Sequence, residues 1–362
     1  HGTTYPIRVS VSDVAGNPAV PDTNNGLVVD IAPPDVPTIQ QQYASSLTPV
    51  ITGGAQKLAS GSPIALANGD ILSFTLNGRT VTATVDSTQA SGTSLPGVSY
   101  NPSTKAWSLN TATAGSFGLA DDNTYNVAVS VTAAGIPARN DVSTGELVLN
   151  TTPPVITLNP ISPDANGNSV INGFEENQSL TLTGTTDAEV GQTVTLTGLG
   201  GQTYTATVMP GANGGPNTFS IPVSGAAIAA IADGNHTPQV SVTNIFGLSG
   251  TDTEPLRIDT TAPSAPQVAL PESASGVNAA EAASNGGTPL LVTLPQNAVA
   301  GDTVTSVVTK ADGSTLVLSR VLSAADITAG NITQLIPTAQ LNVDGSWTTS
   351  TTITDTAGNT SA

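Results

Sequence analysis

One short motif constrains this chain more than any other feature, because it recurs at near-regular intervals. The sequence Asp-Thr-Thr-Ala-Pro occupies residues 259–263, and related sequences stand at residues 30–34 and 150–154. The three copies begin 120 and 109 residues apart. That period is too long for a solenoid repeat and matches the length of one small domain. The motif therefore predicts a tandem array of modules.

Two further landmarks keep the same period. A Gly-Asp or Gly-Gln pair precedes an alternating run at residues 69–70, 191–192 and 301–302, with spacings of 122 and 110. An aspartate precedes another alternating run at intervals of 111 residues: Asp122, Asp233 and Asp344. Because three independent spacings agree, chance similarity is a poor explanation for them.

These spacings divide the chain into four segments. Residues 1–31 read as the last two strands of a partial module. Residues 32–151 and 152–259 each read as a complete module, and residues 260–362 read as a module without its final strand. We expect the chain to be a window cut from a longer array. Exchange of the leading hairpin into a neighbouring chain is the alternative explanation for such ends.

Short alternating runs separated by turn residues predict the fold of each module. Residues 152–259 contain seven such runs: 155–158, 179–183, 193–197, 203–208, 219–223, 238–243 and 255–258. Seven strands in about 105 residues are typical of an immunoglobulin-like sandwich. In module one, Val127, Val129 and Val131 alternate with small or polar residues, which places one face of their strand in a core. We therefore predict an all-β chain of immunoglobulin-like β-sandwich modules arranged head to tail.

The composition of the chain excludes several kinds of partner. Its 362 residues include 26 acidic and only 8 basic ones, for a formal net charge of −18, and the basic residues are scattered. Nucleic-acid binding requires clustered Lys and Arg, so we expect none. The sequence has no Cys, which removes disulfides and thiolate metal sites. The longest apolar stretch, residues 226–232, is too short to cross a bilayer, so no membrane insertion is expected in this segment.

The sequence carries no pattern that is typical of an enzyme. It contains no Gly-x-Ser-x-Gly motif, zinc-ligand spacing or phosphate-binding loop, and the acidic pair at residues 175–176 has no counterpart in the other modules. The internal histidine, His236, stands in the position that Tyr125 and Trp347 hold in the other modules. We interpret His236 as an aromatic filler rather than a catalytic or metal-binding residue. We predict no enzymatic activity.

The turn Asp-x-Ala-Gly-Asn at residues 13–17 and 355–359, with the motif at 259–263, resembles the bacterial immunoglobulin-like repeats of large type I-secreted, biofilm-associated surface adhesins. The runs at 299–304 and 322–327 strengthen this likeness, which covers essentially the whole chain. The resemblance implies an extracellular location on a bacterial cell surface. It implies a role as an extender, or stalk, in cell adhesion or biofilm formation. It also implies calcium as a structural cofactor near the module junctions.

The sandwich topology predicts which residues meet at the junction of modules two and three. The end of the last strand and the loop before the penultimate strand lie at one pole of a sandwich, and the turn between the last two strands lies at the other. Asp233 and Asp259 of module two should therefore face a set of residues from module three: Asp302, Asp355 and Asn359. Calcium takes six to eight oxygen ligands, so this set is chemically sufficient.

The other junctions also carry oxygen ligands. The residues expected at the junction of modules one and two are Asp121, Asp122, Asn150, Asp187, Glu189 and Asn244. Below module one stands Asp30, with Asp35 just beyond, but the final turn of this module, residues 133–135, reads Ala-Ala-Gly and brings no acidic residue. The alternative interpretation is that Asp, Asn and Gly in these loops simply form turns.

Two functions from different classes remain open. The favoured one is a stalk segment with calcium-stiffened junctions, whose partners are the neighbouring modules of the same long chain. The ligand of such an adhesin is not encoded in this segment. The alternative is a subunit of a self-assembling extracellular filament or matrix fibre, in which identical chains exchange strands.

Overall fold

The computed structural model describes residues 3–6, 26–29, 31–133, 135–161, 168–272, 275–283 and 286–362. The chain forms two compact units: residues 1–153 with 244–248, and residues 154–243 with 249–362. In the ranges that the structure describes, no helix is long and apolar enough to cross a membrane.

Three clusters of buried apolar side chains form separate cores. They lie within residues 39–149, 156–258 and 290–353. Each cluster falls inside one of the three ranges predicted as large modules, and these ranges are called modules one, two and three below. Their exact boundaries stay predictions.

The leading segment contains one antiparallel pair of strands, β1 (Thr3–Pro6) and β2 (Gly26–Val29). Tyr5 lies opposite Leu27 in this pair, which is the register that Tyr125 and Leu147 adopt in module one. That this segment belongs to a partial module stays a prediction. The predicted turn at residues 13–17 lies outside the described residues.

Module one is built from short strands that form two four-stranded sheets, one three-stranded sheet and a hairpin. The strands are β3 (Thr38–Ile39), β4 (Gln42–Ala44), β5 (Val50–Gly54), β6 (Lys57–Ala59), β7 (Ser62–Ile64), β8 (Ile71–Leu76), β9 (Arg79–Thr84), β10 (Val98–Asn101), β11 (Ala106–Asn110), β12 (Asn123–Tyr125), β13 (Val127–Ala133), β14 (Ile136–Asn140) and β15 (Leu147–Leu149). The sheet orders are β10-β11-β5-β3, β14-β13-β8-β9 and β12-β15-β4, and β6 pairs with β7. Only β4 and β15 pair in parallel among these strands.

The core of module one lies between its two four-stranded sheets. Val127, Val129 and Val131 of β13 are buried while their neighbours are not, which confirms the predicted alternation. Phe74 of β8 meets Trp107 of β11 edge to face, with ring centroids 4.9 Å apart. Aromatic rings bury more area than other side chains, so this pair anchors the contact between the sheets.

Module two repeats this architecture. Its elements are β16 (Ile156–Leu158), β17 (Val170–Ile171), β18 (Leu180–Thr186), β19 (Thr193–Leu199), β20 (Gln202–Thr207), a single 3₁₀ turn (Ala212–Gly214), β21 (Asn217–Val223), helix α1 (Gly225–Ile228), β22 (Gly234–His236), β23 (Gln239–Thr243), β24 (Ser249–Thr253) and β25 (Leu256–Ile258). The sheet orders are β16-β18-β21, β20-β19-β23-β24 and β17-β25-β22. All seven predicted strands are present. The sequence did not predict β17, β22 and β24, which are short or carry polar residues on both faces.

Module three keeps two of these sheets. Its elements are β26 (Gln267–Ala269), helix α2 (Ala279–Ala283), β27 (Gly287–Thr293), β28 (Thr303–Thr309), β29 (Thr315–Val321), helix α3 (Ala324–Ala329), β30 (Asn331–Pro337), a 3₁₀ turn (Thr338–Gln340) and β31 (Thr348–Thr354). The sheet orders are β26-β27-β30 and β29-β28-β31. The order of strands therefore matches those of the preceding modules, which establishes the chain as an all-β series of immunoglobulin-like sandwiches.

The recurring ring position does more than fill space. The Tyr125 hydroxyl accepts the N–H of Ala120 at 2.7 Å, and the Trp347 indole donates to the carbonyl of Val343 at 3.1 Å. In module two, His236 Nε2 lies 2.9 Å from the carbonyl oxygen of Ala232. Each half-buried ring thus ties its polar edge to the loop four or five residues earlier. This bond explains why Tyr, His and Trp, each with a polar ring atom, occupy the position.

A glycine beneath an aromatic ring is essential to the packing of module two. A Cβ atom added to Gly184 would collide with the Thr157 carbonyl and the Phe219 ring. We predict that Gly184→Ala lowers the free energy of unfolding by about 1–3 kcal/mol, because overpacking displaces the ring or the strand. Chemical denaturation measures this loss. Thr205→Ala, on an exposed strand position of the same module, is the control and should change stability by less than about 0.5 kcal/mol. Equal stabilities for both variants would contradict this account of the packing.

Candidate metal centre

The recurring motif is held by an aspartate from the preceding loop. In module two the carboxylate of Asp233 accepts the N–H of Thr260 at 2.9 Å and the hydroxyls of Thr260 and Thr261 at 2.8 and 2.6 Å. In module one the carboxylate of Asp121 accepts the N–H of Thr151 at 2.6 Å and the hydroxyl of Thr152 at 3.3 Å. The Thr-Thr pair of the motif is therefore the binding partner of the loop aspartate. This arrangement, the Asp–Thr clamp, fixes the chain where it leaves modules one and two.

The Asp–Thr clamp keeps both aspartates ionised. Hydrogen bonds from Thr151 lower the pKa of Asp121. Burial alone would raise the pKa of Asp233, but the hydrogen bonds from Thr261 and Thr260 outweigh it and lower the pKa overall. Hydrogen bonds that favour the charged form of a carboxyl group stabilise the fold while that form persists.

Asn359 links the last turn of module three to module two. Its amide nitrogen donates to the Asp355 carboxylate at 2.9 Å and to the carbonyl of Asp259 at 2.7 Å. Its side-chain oxygen accepts the N–H of Gly173 at 2.7 Å. The residue is 6% exposed, so these bonds form away from bulk water. All the hydrogen-bonding groups of its amide are directed into this junction.

Two asparagines of module two reinforce the same junction. The side chains of Asn168 and Asn172 donate to the carbonyl of Ala357 at 2.9 and 3.0 Å, and Asn168 also reaches the carbonyl of Thr356 at 3.2 Å. The segment 168–173 therefore holds the turn of module three by side-chain contacts to its backbone. Sequence reasoning missed both asparagines, because they carry no charge and do not recur in the other modules.

The Gly-Asp landmark forms a turn of the same kind in every module. The three glycines have left-handed φ values of 93°, 94° and 103°, which residues with a Cβ atom rarely adopt: Gly69, Gly191 and Gly301. In module three the Asp302 Oδ2 atom accepts the N–H of Val299 at 2.8 Å. The backbone of Asp302 also closes the turn, since its N–H donates to the Val299 carbonyl and its carbonyl accepts from Leu322.

Asp302 is completely buried, and its second carboxylate oxygen has no hydrogen-bond donor among the described residues. Burial raises the pKa of Asp302; the Val299 N–H opposes this, and the nearby charges of Asp355 and Asp259 raise it further. An ionised carboxylate in such a place costs several kcal/mol unless a proton or a cation neutralises it. Among the residues predicted for this junction, Asp302 is therefore one that needs a proton or a cation to neutralise its charge.

The potential ligand atoms around Asp302 are of the type that calcium prefers. They are carboxylate, amide and carbonyl oxygens, without sulfur or imidazole. The carboxylates are nevertheless not drawn together, since no group of three or more Asp, Glu, His or Cys side chains in the described ranges could hold a metal ion. Asp259 instead pairs with Arg257 at 2.7 Å, and Asp355 bonds to Asn359. Asp302, Asp355 and Asp259 fit a cation by chemistry and charge, and their role as ligands stays a prediction.

The remaining predicted ligands lie in local turns. The Asp187 carboxylate accepts the N–H of Val155 at 2.7 Å. The Asn150 side chain accepts from Thr152, and the Asn244 side chain accepts from Phe246 and Leu248. Asp122 is exposed and has a left-handed φ of 53°, whereas Glu189 contributes its carbonyl to the N–H of Gln192. Asp30 lies outside the described residues. These contacts agree with turn formation, and a metal role for the six acidic residues Asp30, Asp121, Asp122, Asp187, Glu189 and Asp233 stays a prediction.

Solved structures of similar architecture include parts of large bacterial adhesins. A calcium-stabilised adhesin with which an Antarctic bacterium binds ice is 24% identical over 98% of this chain and 78% of that one, with a TM-score of 0.39. A bacterial ice-binding adhesin studied for its retention on the host cell surface is 24% identical over 88% of this chain and 89% of that one, with a TM-score of 0.42. A tetra-tandem repeat from the extending region of a large adhesion protein is 20% identical over 98% and 78%, with a TM-score of 0.30.

These similarities concern the type of module. No protein-family model and no curated protein sequence matches the chain. Because the TM-scores lie below 0.5, the structures assign neither a ligand nor a partner to this chain.

The Asp–Thr clamp yields a pH-dependent prediction. The pKa of Asp233 is lowered in the folded chain. Its carboxylate therefore stabilises the linker above the unfolded-state pKa of about 3.9, and this stabilisation is lost as the pH falls through the pKa of the folded state. We expect Asp233→Asn to increase amide exchange at Thr260 at neutral pH and to weaken its dependence on pH between about 2 and 5. Asp344→Asn removes the same charge from the corresponding loop of module three and is the control. A Thr260 amide that exchanges alike in all three proteins would disprove the clamp.

Proposed function

We propose that this segment is a structural extender, or stalk, of an extracellular adhesin on a bacterial cell surface, and that calcium stiffens its junction between modules two and three. The observation that carries the proposal is the buried oxygen of Asp302 that has no hydrogen-bond partner within the described ranges and lies near the charges of Asp355 and Asp259. It lies in a junction that hydrogen bonds already hold in place. The motif resemblance to adhesin repeats agrees with a contribution to cell adhesion or biofilm formation.

An extender must transmit force between modules, and the contacts of this chain are suited to that task. The Asp–Thr clamp binds the start of the linker in modules one and two. Asn359 then joins the turn of module three to the backbone of Gly173 and Asp259. These contacts lie at module ends rather than in a cleft, so they favour a spacer over a binding or catalytic domain.

Calcium would be held by Asp302, with Asp355 and Asp259 as further ligands. The ion would supply the positive charge that these carboxylates lack. In its absence, Asp302 is stabilised by the Val299 N–H alone, and burial together with two like charges opposes its ionisation. Asn359 holds Asp355 against the Asp259 carbonyl in either case. The hydrogen bonds thus position the junction, and the charge of the carboxylates makes its strength depend on cations.

We expect calcium to bind the full chain and to raise its melting temperature. A saturating concentration, about 100 times the dissociation constant, should add about 2.7 kcal/mol to the stability of the unit that binds it. Calorimetric titration gives the stoichiometry, and hydrogen exchange at Gly173 should slow if the junction stiffens. An absence of binding at millimolar calcium would refute the calcium part of the proposal.

The variant Asp302→Asn distinguishes the destabilising effect of the buried charge from its proposed role in binding calcium. Because the pKa of Asp302 is raised, its ionisation lowers stability as pH rises through the folded value, and stability is greatest below the unfolded-state pKa of about 3.9. Without calcium, at neutral pH, the variant should therefore be more stable by about 1–2 kcal/mol. With calcium, the variant should be no more stable than the unaltered chain. Asp312→Asn, in an exposed turn of the same module, should respond to calcium as the unaltered chain does.

A further inference from the structure

Lys57 of module one is a buried cation for which the extender function gives no reason. The residue is 1% exposed, and its Nζ atom lies 3.1 Å from Asp70 Oδ2 and 3.5 Å from Oδ1. Lysine is almost never fully buried unless it is paired, because the ammonium group loses its hydration. Asp70 is 3% exposed, so both charges lie inside the module.

Asp70 is the counterpart of Asp302 in every backbone contact of its turn. Its Oδ2 atom accepts the N–H of Ala67 at 2.8 Å, as that of Asp302 accepts the N–H of Val299 at 2.8 Å. The N–H of each aspartate donates to the carbonyl three residues earlier, at 3.0 and 3.2 Å. Each carbonyl accepts from the first residue after β9 or β29, from Val85 at 2.8 Å and from Leu322 at 2.7 Å. The two carboxyl groups therefore occupy the same place in their modules.

The two turns differ at the second carboxylate oxygen. In module three this oxygen of Asp302 has no donor among the described residues. In module one both oxygens of Asp70 lie within 3.5 Å of the Lys57 ammonium. The turn between β13 and β14 also differs from the final turn of module three. Residues 134–135 of module one are Ala and Gly, whereas the turn of module three contains Asp355 and Asn359. Module one thus has a fixed positive charge, and its final turn lacks a counterpart of Asp355.

An inserted hairpin brings Lys57 to Asp70. Strands β6 and β7 lie between β5 and β8, whereas the corresponding strands of modules two and three are joined by loops without strands. The Tyr100 hydroxyl joins the two ends of this inserted hairpin. It accepts the N–H of Leu66 at 2.9 Å and donates to the Ala55 carbonyl at 3.0 Å. On the other side, the N–H of Leu58 donates to the Pro33 carbonyl at 2.9 Å. Lys57 is therefore fixed in position by backbone contacts on both sides.

We propose that the Lys57 ammonium occupies in module one the position that a divalent cation takes beside Asp302 in module three, so that this end of module one is stabilised without metal. The comparison with module three rests on the proposed function. The charge pairing in module one does not, because the contact between Lys57 and Asp70 is present in the structure itself. The consequence is a chain in which one module end responds to calcium and the corresponding end of another does not.

Native-state hydrogen exchange of the full chain tests this inference at four amides. Ala67 and Val85 report on Asp70, and Val299 and Leu322 report on Asp302, because each donates to the aspartate that it reports on. Replacing a chelator by calcium should slow exchange at Val299 and Leu322 and leave Ala67 and Val85 unchanged. If calcium slows the Ala67 and Val85 amides equally, the inference is wrong.

Two variants test whether the charge of Lys57 is what matters. Lys57→Met leaves Asp70 buried and unpaired, so exchange at Ala67 and Val85 should rise by roughly 100-fold or more. Lys57→Met/Asp70→Asn removes both charges and should restore most of the protection. Arg139→Met, which removes an exposed basic residue from the same module, should have no effect.

The outcomes separate this inference from the proposed function. A double variant that is as unprotected as Lys57→Met would show that Lys57 acts through its volume, which would overturn the inference. Unchanged exchange at Val299 on adding calcium would instead refute the calcium site of module three. The two variants would then still decide whether the Lys57 charge stabilises module one.

Discussion

Polar groups at the ends of a β-sandwich must find partners outside the strand ladders, and the rest of this structure depends on how they do so. Where the chain leaves modules one and two, the Asp–Thr clamp supplies those partners. Where the final turn of module three meets module two, the amide of Asn359 supplies them from both its oxygen and its nitrogen. The linkers are ordered by these side-chain bonds, because short linkers cannot bury enough apolar surface to order themselves.

The residue that follows the left-handed glycine of the Gly-Asp turn differs among the three modules in its charge and in its contacts. After the left-handed glycine, module one has Asp70 paired with Lys57 and module two has the neutral Gln192. Module three has Asp302, one oxygen of which has no donor among the described residues. Because Gln192 closes the same backbone turn without a charge, the turn does not require a charged residue at this point. Each module end can therefore differ in its dependence on cations while the sheets around it keep the same strand order.

The predictions that succeeded concern patterns that are local in the sequence. Alternation of apolar residues predicted the strands of module two, because a strand that covers a core must bury every second side chain. The shared position of Tyr125 and His236 predicted a common structural role. The missed strands β17 and β24 are a two-residue pair and an exposed polar strand, which pair through their backbones. Two apolar residues are too few to show an alternation, and β24 carries small and polar residues, so neither strand leaves a periodic pattern in the sequence.

The sequence by itself determined the period, the sandwich class and the acidic character of the module ends, since each follows from composition and spacing along the chain. Only the tertiary structure decided what each acidic residue contacts. Asp233 binds two threonines, and Asp70 contacts a lysine from an inserted hairpin. Asp302 is buried, and one of its oxygens has no donor in the part of the chain that the structure describes. The physical reason is that burial and the distance to opposite charges are properties of packing. Residues far apart in the chain create them, and no local pattern encodes them.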